Sequence, residues 1–322
     1  MVNSSEPDPI KIETGIENAM NIGLALGSGS ARGWSHIGVI NELAEAGIHP
    51  DIICGTSIGS LVGASCLAGN LGELENWVLT LTRLDVARLL DFNISLDSFI
   101  DITKLHGFLN EYVADDDADI DNLDQQYAAV AADLETGREI WLTEGPLIEA
   151  VWSSISLPGL FPPTRKNGKW LVDGGLVNPV PVSVCRALGA DIVIAVNLNG
   201  DIVGKHFHKH RNSVKPEPGI ARKIGGAVKE YATSVFGSNH EQEQPPNIID
   251  SLACSVNITQ DRITRSRMAG DPPDMLISPR LAGIGLLEFY RAEEAIEEGK
   301  KCVRKIMPDL ERILDLDRQQ ED

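Results

Sequence analysis

Ser57 occupies the centre of a G-x-S-x-G sequence at residues 55–59, between an apolar run at 52–54 and a helix-like stretch at 61–68. Such a serine can act as a nucleophile, because a tight turn between a strand and a helix exposes its hydroxyl, and the helix N-terminus favours developing negative charge. The turn requires small residues on either side, and both outer positions are glycine. The pattern predicts a nucleophilic serine; the alternative is a serine that caps a buried helix.

A nucleophilic serine needs a base, and Asp173 is the strongest candidate. It stands at the end of a predicted strand at 169–172 and is followed by Gly174 and Gly175. Since the C-termini of the strands in a parallel sheet lie along one edge, we expect Asp173 and Ser57 to lie close together. The alternative is an acidic residue of an ordinary turn.

Residues 27–33, with the sequence GSGSARG, follow the first predicted strand. A loop rich in glycine and serine at this edge can turn successive backbone N–H groups toward the oxyanion that a serine nucleophile creates. We expect Arg32 to brace this loop rather than to react. The same glycines could form a dinucleotide-binding loop, but Asp51 then stands at the wrong end of its strand to bind a ribose.

Apolar runs alternate with helix-like patterns along the chain. Predicted strands cover 20–26, 51–54, 127–134, 139–143, 169–172, 191–198 and 275–278, and predicted helices include 32–46, 61–68, 147–153, 248–268 and 287–314. Strands that alternate with helices form a mostly parallel sheet with helices on both faces. The sequence therefore predicts an α/β protein.

Four segments, at 27–33, 55–59, 158–163 and 173–175, occur in the order and approximate spacing found in the patatin-like acyl hydrolases. The chain resembles that family, and most of all its bacterial RssA-type members. The resemblance implies a patatin three-layer α/β/α sandwich with a mostly parallel central sheet. It also implies a catalytic dyad without a histidine, a metal or an organic cofactor, in which Ser57 is the nucleophile and Asp173 the base.

The resemblance further implies which residues support the dyad. It places the oxyanion hole at the backbone of Gly29, Ser30 and Ala31. Residues that shape the neighbouring turns are Arg32 and Gly33 in the loop, Gly55 and Gly59 around the nucleophile, and Gly174 and Gly175 after the aspartate. The glycine run usual in the family is interrupted by serine here, and a non-glycine residue with positive φ is strained.

A histidine base remains an alternative. Ser57, Asp173 and His240 follow the chain order of an α/β-hydrolase triad, but a nucleophile on the second strand leaves too little chain upstream for that fold. His36 is a second candidate, although a histidine at such a position usually packs on its helix. No metal site is expected, because the histidines at 206–210 lie in a charged segment and the aspartates at 115–121 lack the glycine and glutamate of a calcium loop.

The composition excludes several classes of function. A net charge of -19 and a pI near 4.7 argue against nucleic acid as a partner, since phosphate binding needs a positive field. The longest apolar runs fall short of the roughly 20 residues that span a bilayer, and the first 19 residues lack the pattern of a secretory signal. Five widely spaced cysteines indicate buried thiols in a reducing compartment, and we expect a cytoplasmic protein.

The predicted domain division is a disordered tail at 1–19, a hydrolase domain at 20–314 and a C-terminal tail at 315–322. Residues 199–246 are polar and rich in glycine and proline, which indicates an insertion or a mobile loop within the domain. Its basic part, at 205–236, carries a helical stripe of apolar residues. It could serve as a lid or as a peripheral contact with the inner membrane surface, and the alternative is a helix that covers the core.

These features predict a serine acyl-ester hydrolase that acts on lipid or lysophospholipid esters, with an acyl-ester or phospholipid substrate as its partner. A different class of function is also compatible with them. A regulatory or scaffold protein can keep the same fold and the same two residues with little turnover.

Overall fold

The structure is a computed structural model that describes residues 20–89, 102–202 and 248–318. The predicted N-terminal tail, the basic segment at 205–236 and the histidines at 206–210 and 240 lie outside the described residues. The proposed domain division therefore stays a prediction. Within the described part of the chain, no helix is both long enough and apolar enough to cross a membrane.

Eight strands of the described residues form one sheet. In chain order they are β1 (Ile22–Leu26), β2 (Ile52–Thr56), β3 (Gln126–Asp133), β4 (Glu139–Leu142), β5 (Thr164–Lys166), β6 (Lys169–Asp173), β7 (Ile192–Val196) and β8 (Met275–Ile277). Their order is β5-β6-β3-β2-β1-β7-β8, and β4 pairs with β3 outside that path. Strands β3, β2, β1, β7 and β8 are neighbours in that order, and each of these pairs is parallel. The pairs that involve β4, β5 and β6 are antiparallel.

Helices cover both faces of this sheet. They are α1 (Ser35–Glu45), α2 (Ile58–Leu67), α3 (Leu71–Thr80), α4 (Arg83–Leu89), α5 (Ile102–Tyr112), α6 (Leu147–Ile155), α7 (Val182–Ala187), α8 (Ile248–Gly270) and α9 (Ala292–Arg318). Because side chains alternate along a strand, β1 sends Leu24 and Leu26 into one core and Ala25 into another. The first core includes α1, α2, α3, α5, α6 and α9, and the second includes α7 and Met268 of α8. The predicted α/β/α sandwich is confirmed.

The position of β6 corrects the sequence argument about Asp173. The strand runs antiparallel to β3, so its end does not belong to the edge where the parallel strands end. However, β2 ends at Thr56, which lies opposite Val130 of β3, and β6 ends at Asp173, which lies opposite the next residue of β3, Ala131. Since β4 occupies the other side of β3 over residues 129–132, β2 and β6 follow each other along one side. Asp173 therefore faces the turn that follows β2.

The last helix begins later than the sequence predicts. Residues Phe289–Arg291 form a 3-10 turn, and α9 starts at Ala292 and continues to Arg318, beyond the predicted end at 314. The preceding segment is held by the loop after β1 instead: the Trp34 indole N–H donates to the Phe289 carbonyl at 3.2 Å. Residues 286–289 thus precede the helix and lie beside the predicted site.

Candidate active site

Ser57 forms a strained turn between β2 and α2. Its backbone has φ 55° and ψ -124°, a left-handed conformation that costs a non-glycine residue on the order of 1–3 kcal/mol. The glycines at positions 55 and 59 are required because other backbone atoms pack closely against them. A Cβ atom on Gly55 would lie 2.4 Å from the Cα atom of Ser60, and one on Gly59 would lie 2.1 Å from the Leu26 carbonyl oxygen. The turn thus packs against the sheet and leaves the serine side chain at its edge.

Ser57 and Asp173 are in direct contact. The Ser57 hydroxyl donates a hydrogen bond of 2.5 Å to Oδ2 of Asp173, and the Gly175 N–H donates to Oδ1 at 2.7 Å. Asp173 is only 2% exposed. Burial raises the pKa of this carboxyl to about 6, although both hydrogen bonds act in the opposite direction. At neutral pH the group is an ionised carboxylate that is more basic than an exposed one.

The two glycines after Asp173 let its turn pack between β3 and α8. A Cβ atom on Gly174 would lie 2.1 Å from the Val130 carbonyl oxygen, and one on Gly175 would lie 2.4 Å from Nε2 of Gln260. A larger residue at position 174 would clash with the backbone of β3 and displace the turn, whereas one at position 175 would first displace the Gln260 side chain.

Ser154 is a site residue that the sequence analysis missed. Its hydroxyl accepts the backbone N–H of Ser57 at 2.9 Å and donates to the Val130 carbonyl at 2.6 Å. It therefore links the nucleophile turn to α6 and β3. No motif marks it, because its role depends on a contact across 97 residues of chain.

The loop after β1 presents two backbone donors beside Ser57. Within the described residues, the N–H groups of Gly29 and Ser30 have no acceptor, and both residues line the same pocket as Ser57. Ser30 has φ 51°, so the strain expected for a serine in this loop is present. Its hydroxyl donates to the Leu286 carbonyl at 2.7 Å, which holds the strained turn in place.

Ala31 differs from Gly29 and Ser30 in how its backbone N–H is bonded. Its backbone N–H donates to the Leu286 carbonyl at 3.1 Å, so this donor is already engaged. Of the three predicted donors, only the Ala31 N–H has an acceptor among the described residues, and the oxyanion role of Gly29, Ser30 and Ala31 stays a prediction. Gly33 has a packing role, since a Cβ atom there would lie 2.2 Å from the Ile58 side chain.

Arg32 braces the loop from inside the protein. It is 1% exposed, its Nε donates to the Gly29 carbonyl at 3.2 Å, and its Nη2 donates to Oδ1 of Asn257 at 2.9 Å. Burial lowers the pKa of its guanidinium to about 10, which still leaves it charged at neutral pH. These are the contacts that the expected bracing role requires, and the role itself stays a prediction.

A largely apolar pocket of about 160 Å³ opens onto Ser57 and Asp173. Helices α2 to α5, the connection at 157–161 after α6, and the segment before α9 supply much of its wall. The apolar lining residues are Trp34, Ile58, Leu61, Trp77, Leu81, Val86, Leu105, Phe108, Ile155, Leu157, Leu160, Phe161, Val256, Leu286, Leu287 and Phe289. A hydrocarbon chain can enter such a pocket and exclude water from the carboxylate.

His36 does not act on Ser57 in this arrangement. Its Nε2 donates to the Gly27 carbonyl at 2.8 Å, and its side chain is fully buried. Burial lowers the pKa of His36 to about 4, so the ring is neutral and packed on its helix. His240 lies outside the described residues, and the triad alternative is not tested by the structure.

The aspartates at 115–121 form a turn. Asp119 accepts the backbone N–H of Asp121 at 3.0 Å, and Asp121 accepts that of Gly145 at 3.1 Å. Asp51 accepts the Ile22 N–H at 2.8 Å, at the edge of the sheet where β2 begins and far from the glycine loop. Its carboxylate is therefore engaged in joining β1 to β2.

Comparison with known proteins points to one family. The family model described as "Patatin-like phospholipase" matches residues 24–186. An uncharacterised NTE family protein of Mycobacterium tuberculosis is 29% identical, and the match covers 91% of this chain and 93% of the relative. A protein of Aspergillus fumigatus named as a lysophospholipase is 32% identical over 86% of this chain and 18% of its own length. Patatin-like phospholipase domain-containing protein 7 of the rat is 34% identical over 55% of this chain and 13% of its own length.

Proposed function

This chain belongs to the patatin-like phospholipase family, and from that membership we propose that it hydrolyses lipid acyl esters with Ser57 as nucleophile and Asp173 as base. The observation that carries the proposal is the hydrogen bond of 2.5 Å between the two side chains at the base of an apolar pocket. A nucleophile in contact with a buried base, beside backbone N–H groups that have no acceptor among the described residues, is the arrangement that acyl transfer requires.

In the proposed reaction Ser57 Oγ attacks the ester carbonyl carbon while Asp173 accepts its proton. The tetrahedral intermediate collapses, the C–O bond to the alcohol breaks, and the alcohol leaves with the proton from Asp173. A water molecule then gives a proton to Asp173 and attacks the acyl-serine. The carboxylic acid departs as the proton returns to Ser57 Oγ.

The N–H groups of Gly29 and Ser30 are the proposed oxyanion donors. Both lie at the pocket that contains Ser57, and neither has another acceptor within the described residues. The N-terminus of α2 begins directly after Ser57 and adds a favourable field for negative charge. Loss of a single oxyanion donor lowers kcat by roughly 10²–10³-fold in serine hydrolases.

Lipid or lysophospholipid esters are the proposed substrates, because the pocket wall is largely apolar and a buried methylene group gains about 0.8 kcal/mol. An acyl chain also keeps water from Asp173 and so maintains the raised pKa that the base needs. The name of the fungal relative, a lysophospholipase, supports the same class of substrate.

Covalent labelling with a fluorophosphonate probe tests the proposal. We expect the wild-type chain to be labelled and to release fatty acid from a lysophospholipid, and we expect Ser57→Ala to do neither. Ser255→Ala is the matched control, since Ser255 is an exposed serine whose hydroxyl bonds within α8. A wild-type chain that is neither labelled nor active on any ester would instead favour a regulatory or scaffold protein.

A further inference from the structure

The peptide units that carry the Gly29 and Ser30 N–H groups are both held by their carbonyl ends. The Ser28 carbonyl accepts Nδ2 of Asn199 at 3.2 Å, and the Gly29 carbonyl accepts Nε of Arg32 at 3.2 Å. In a trans peptide the C=O and the N–H of one unit point in opposite directions. A hydrogen bond that holds the Ser28 carbonyl therefore directs the Gly29 N–H, and one that holds the Gly29 carbonyl directs the Ser30 N–H.

Both holding side chains are themselves fixed by α8. Asn257 accepts Nη2 of Arg32 at 2.9 Å, and Gln260 accepts Nδ2 of Asn199 at 3.0 Å. Residues three apart in a helix lie on the same face, and Asn257 and Gln260 are 3% and 5% exposed. One buried face of α8 thus reaches two successive peptide units of the loop, each through a single intermediate side chain.

We propose that Asn257 and Gln260 are positioning residues that set the direction of the two oxyanion donors through Arg32 and Asn199. The inference rests on the proposed function. Gly29 allows its peptide units to rotate more freely than any other residue would, and the Arg32 backbone N–H that also bonds the Gly29 carbonyl, at 3.3 Å, belongs to the same loop. The side chains held by α8 are therefore the anchors from outside the loop. Loss of the Asn257 acceptor is costly for Arg32, because a buried guanidinium without hydrogen-bond acceptors pays a large desolvation penalty. Its Nη1 already lacks a partner within the described residues.

Asn257 provides the sharper test, because Gln260 also lines the pocket and contacts the turn after Asp173. Asn257→Leu removes the acceptor and keeps the number and branching of the side-chain heavy atoms, and Asn257→Asp keeps the acceptor. Thr264→Val is the matched control: Thr264 lies on the same helix at 2% exposure, and its hydroxyl has no partner within the described residues. Thermal unfolding of each variant reports whether α8 still packs.

We expect Asn257→Leu to lower kcat at least about tenfold. An oxyanion donor stabilises mainly the transition state, so a donor that points the wrong way lowers kcat. Its KM should stay within about threefold of the wild-type value. Asn257→Asp and Thr264→Val should keep kcat within about threefold. A wild-type kcat in Asn257→Leu would overturn the inference, and so would an equal loss in Asn257→Asp with unchanged thermal unfolding.

Two further measurements separate this inference from the proposed function. Equal fluorophosphonate labelling rates for the wild type and Asn257→Leu would leave the function intact and overturn the positioning role. If the wild type is not labelled, the proposed function fails, and a crystal structure of Asn257→Leu decides the inference alone. A Gly29–Ser30 peptide unit that has turned supports it, and one that keeps its direction overturns it. If Asn257→Leu does not fold, Asn199→Leu provides the same test at the Ser28 carbonyl.

Discussion

The Ser57 hydroxyl donates to Oδ2 of Asp173 at 2.5 Å across the ends of two strands that run in opposite directions. Strand β2 ends opposite Val130, and β6, which comes back along the same side of β3, ends opposite Ala131. The contact is therefore a consequence of sheet register. A shift of β6 by one residue would turn Asp173 to the other face of the sheet.

The first prediction concerns the base. Asp173→Asn keeps the shape of the side chain and an oxygen that can accept the Gly175 N–H, but it cannot accept the proton of Ser57. General base catalysis contributes roughly 10²–10⁴-fold, so we expect kcat for a lysophospholipid to fall by that factor. Steady-state hydrolysis and the rate of fluorophosphonate labelling check this. A variant with more than a tenth of the wild-type activity would show that another group removes the proton.

The second prediction is the pH dependence of activity. Burial raises the pKa of Asp173 to about 6, and the carboxyl must be ionised to act as a base. Below pH 6 we therefore expect kcat/KM to rise about tenfold per pH unit, and above about pH 7 we expect it to reach a plateau. A profile of ester hydrolysis from pH 4 to pH 9 measures this. A midpoint near 4 would mean that the carboxyl is hydrated during catalysis.

The same group predicts a pH dependence of stability. Its pKa is about 6 in the folded chain against an ordinary value of 3.8, so between these values the folded state binds more protons. The free energy of unfolding should therefore decrease as the pH rises from about 4 to about 6, by on the order of 3 kcal/mol. Urea unfolding of the wild type and of Asp173→Asn checks the sign. Asp173→Asn should be the more stable of the two at pH 7, and the difference should shrink at pH 4.

The fourth prediction concerns Ser154, which accepts the Ser57 N–H at 2.9 Å. Ser154→Ala leaves this N–H without its acceptor and allows the nucleophile turn to shift, so we expect kcat to fall about tenfold with little change in KM. Ser153→Ala is the control, because Ser153 is an equally buried serine on α6 whose hydroxyl donates to the Glu149 carbonyl. Equal kinetics in both variants would contradict a role for Ser154 in holding the turn.

The sequence was informative where one local rule decides the structure. The alternation of apolar runs and helix patterns predicted the layers, and the glycines around Ser57 predicted its turn, because close backbone approach excludes other residues there. The proximity of Ser57 and Asp173 was also expected, but three other contacts or arrangements between distant segments could not be predicted. The engagement of the Ala31 N–H by Leu286, the support from Ser154 and the direction of β6 each depend on residues far apart in the chain.

The fifth prediction concerns the acyl pocket. Leu61 lies one helical turn after Ser57 on α2 and lines the pocket beside the nucleophile. Leu61→Phe should narrow the pocket where a long chain must pass, so we expect kcat/KM to fall about tenfold for a palmitoyl ester and to change less than threefold for a butyryl ester. Leu67→Phe is the control, since Leu67 lies on the same helix and packs on the core outside the pocket. An equal loss for both esters in Leu61→Phe would mean that the acyl chain follows another path from Ser57.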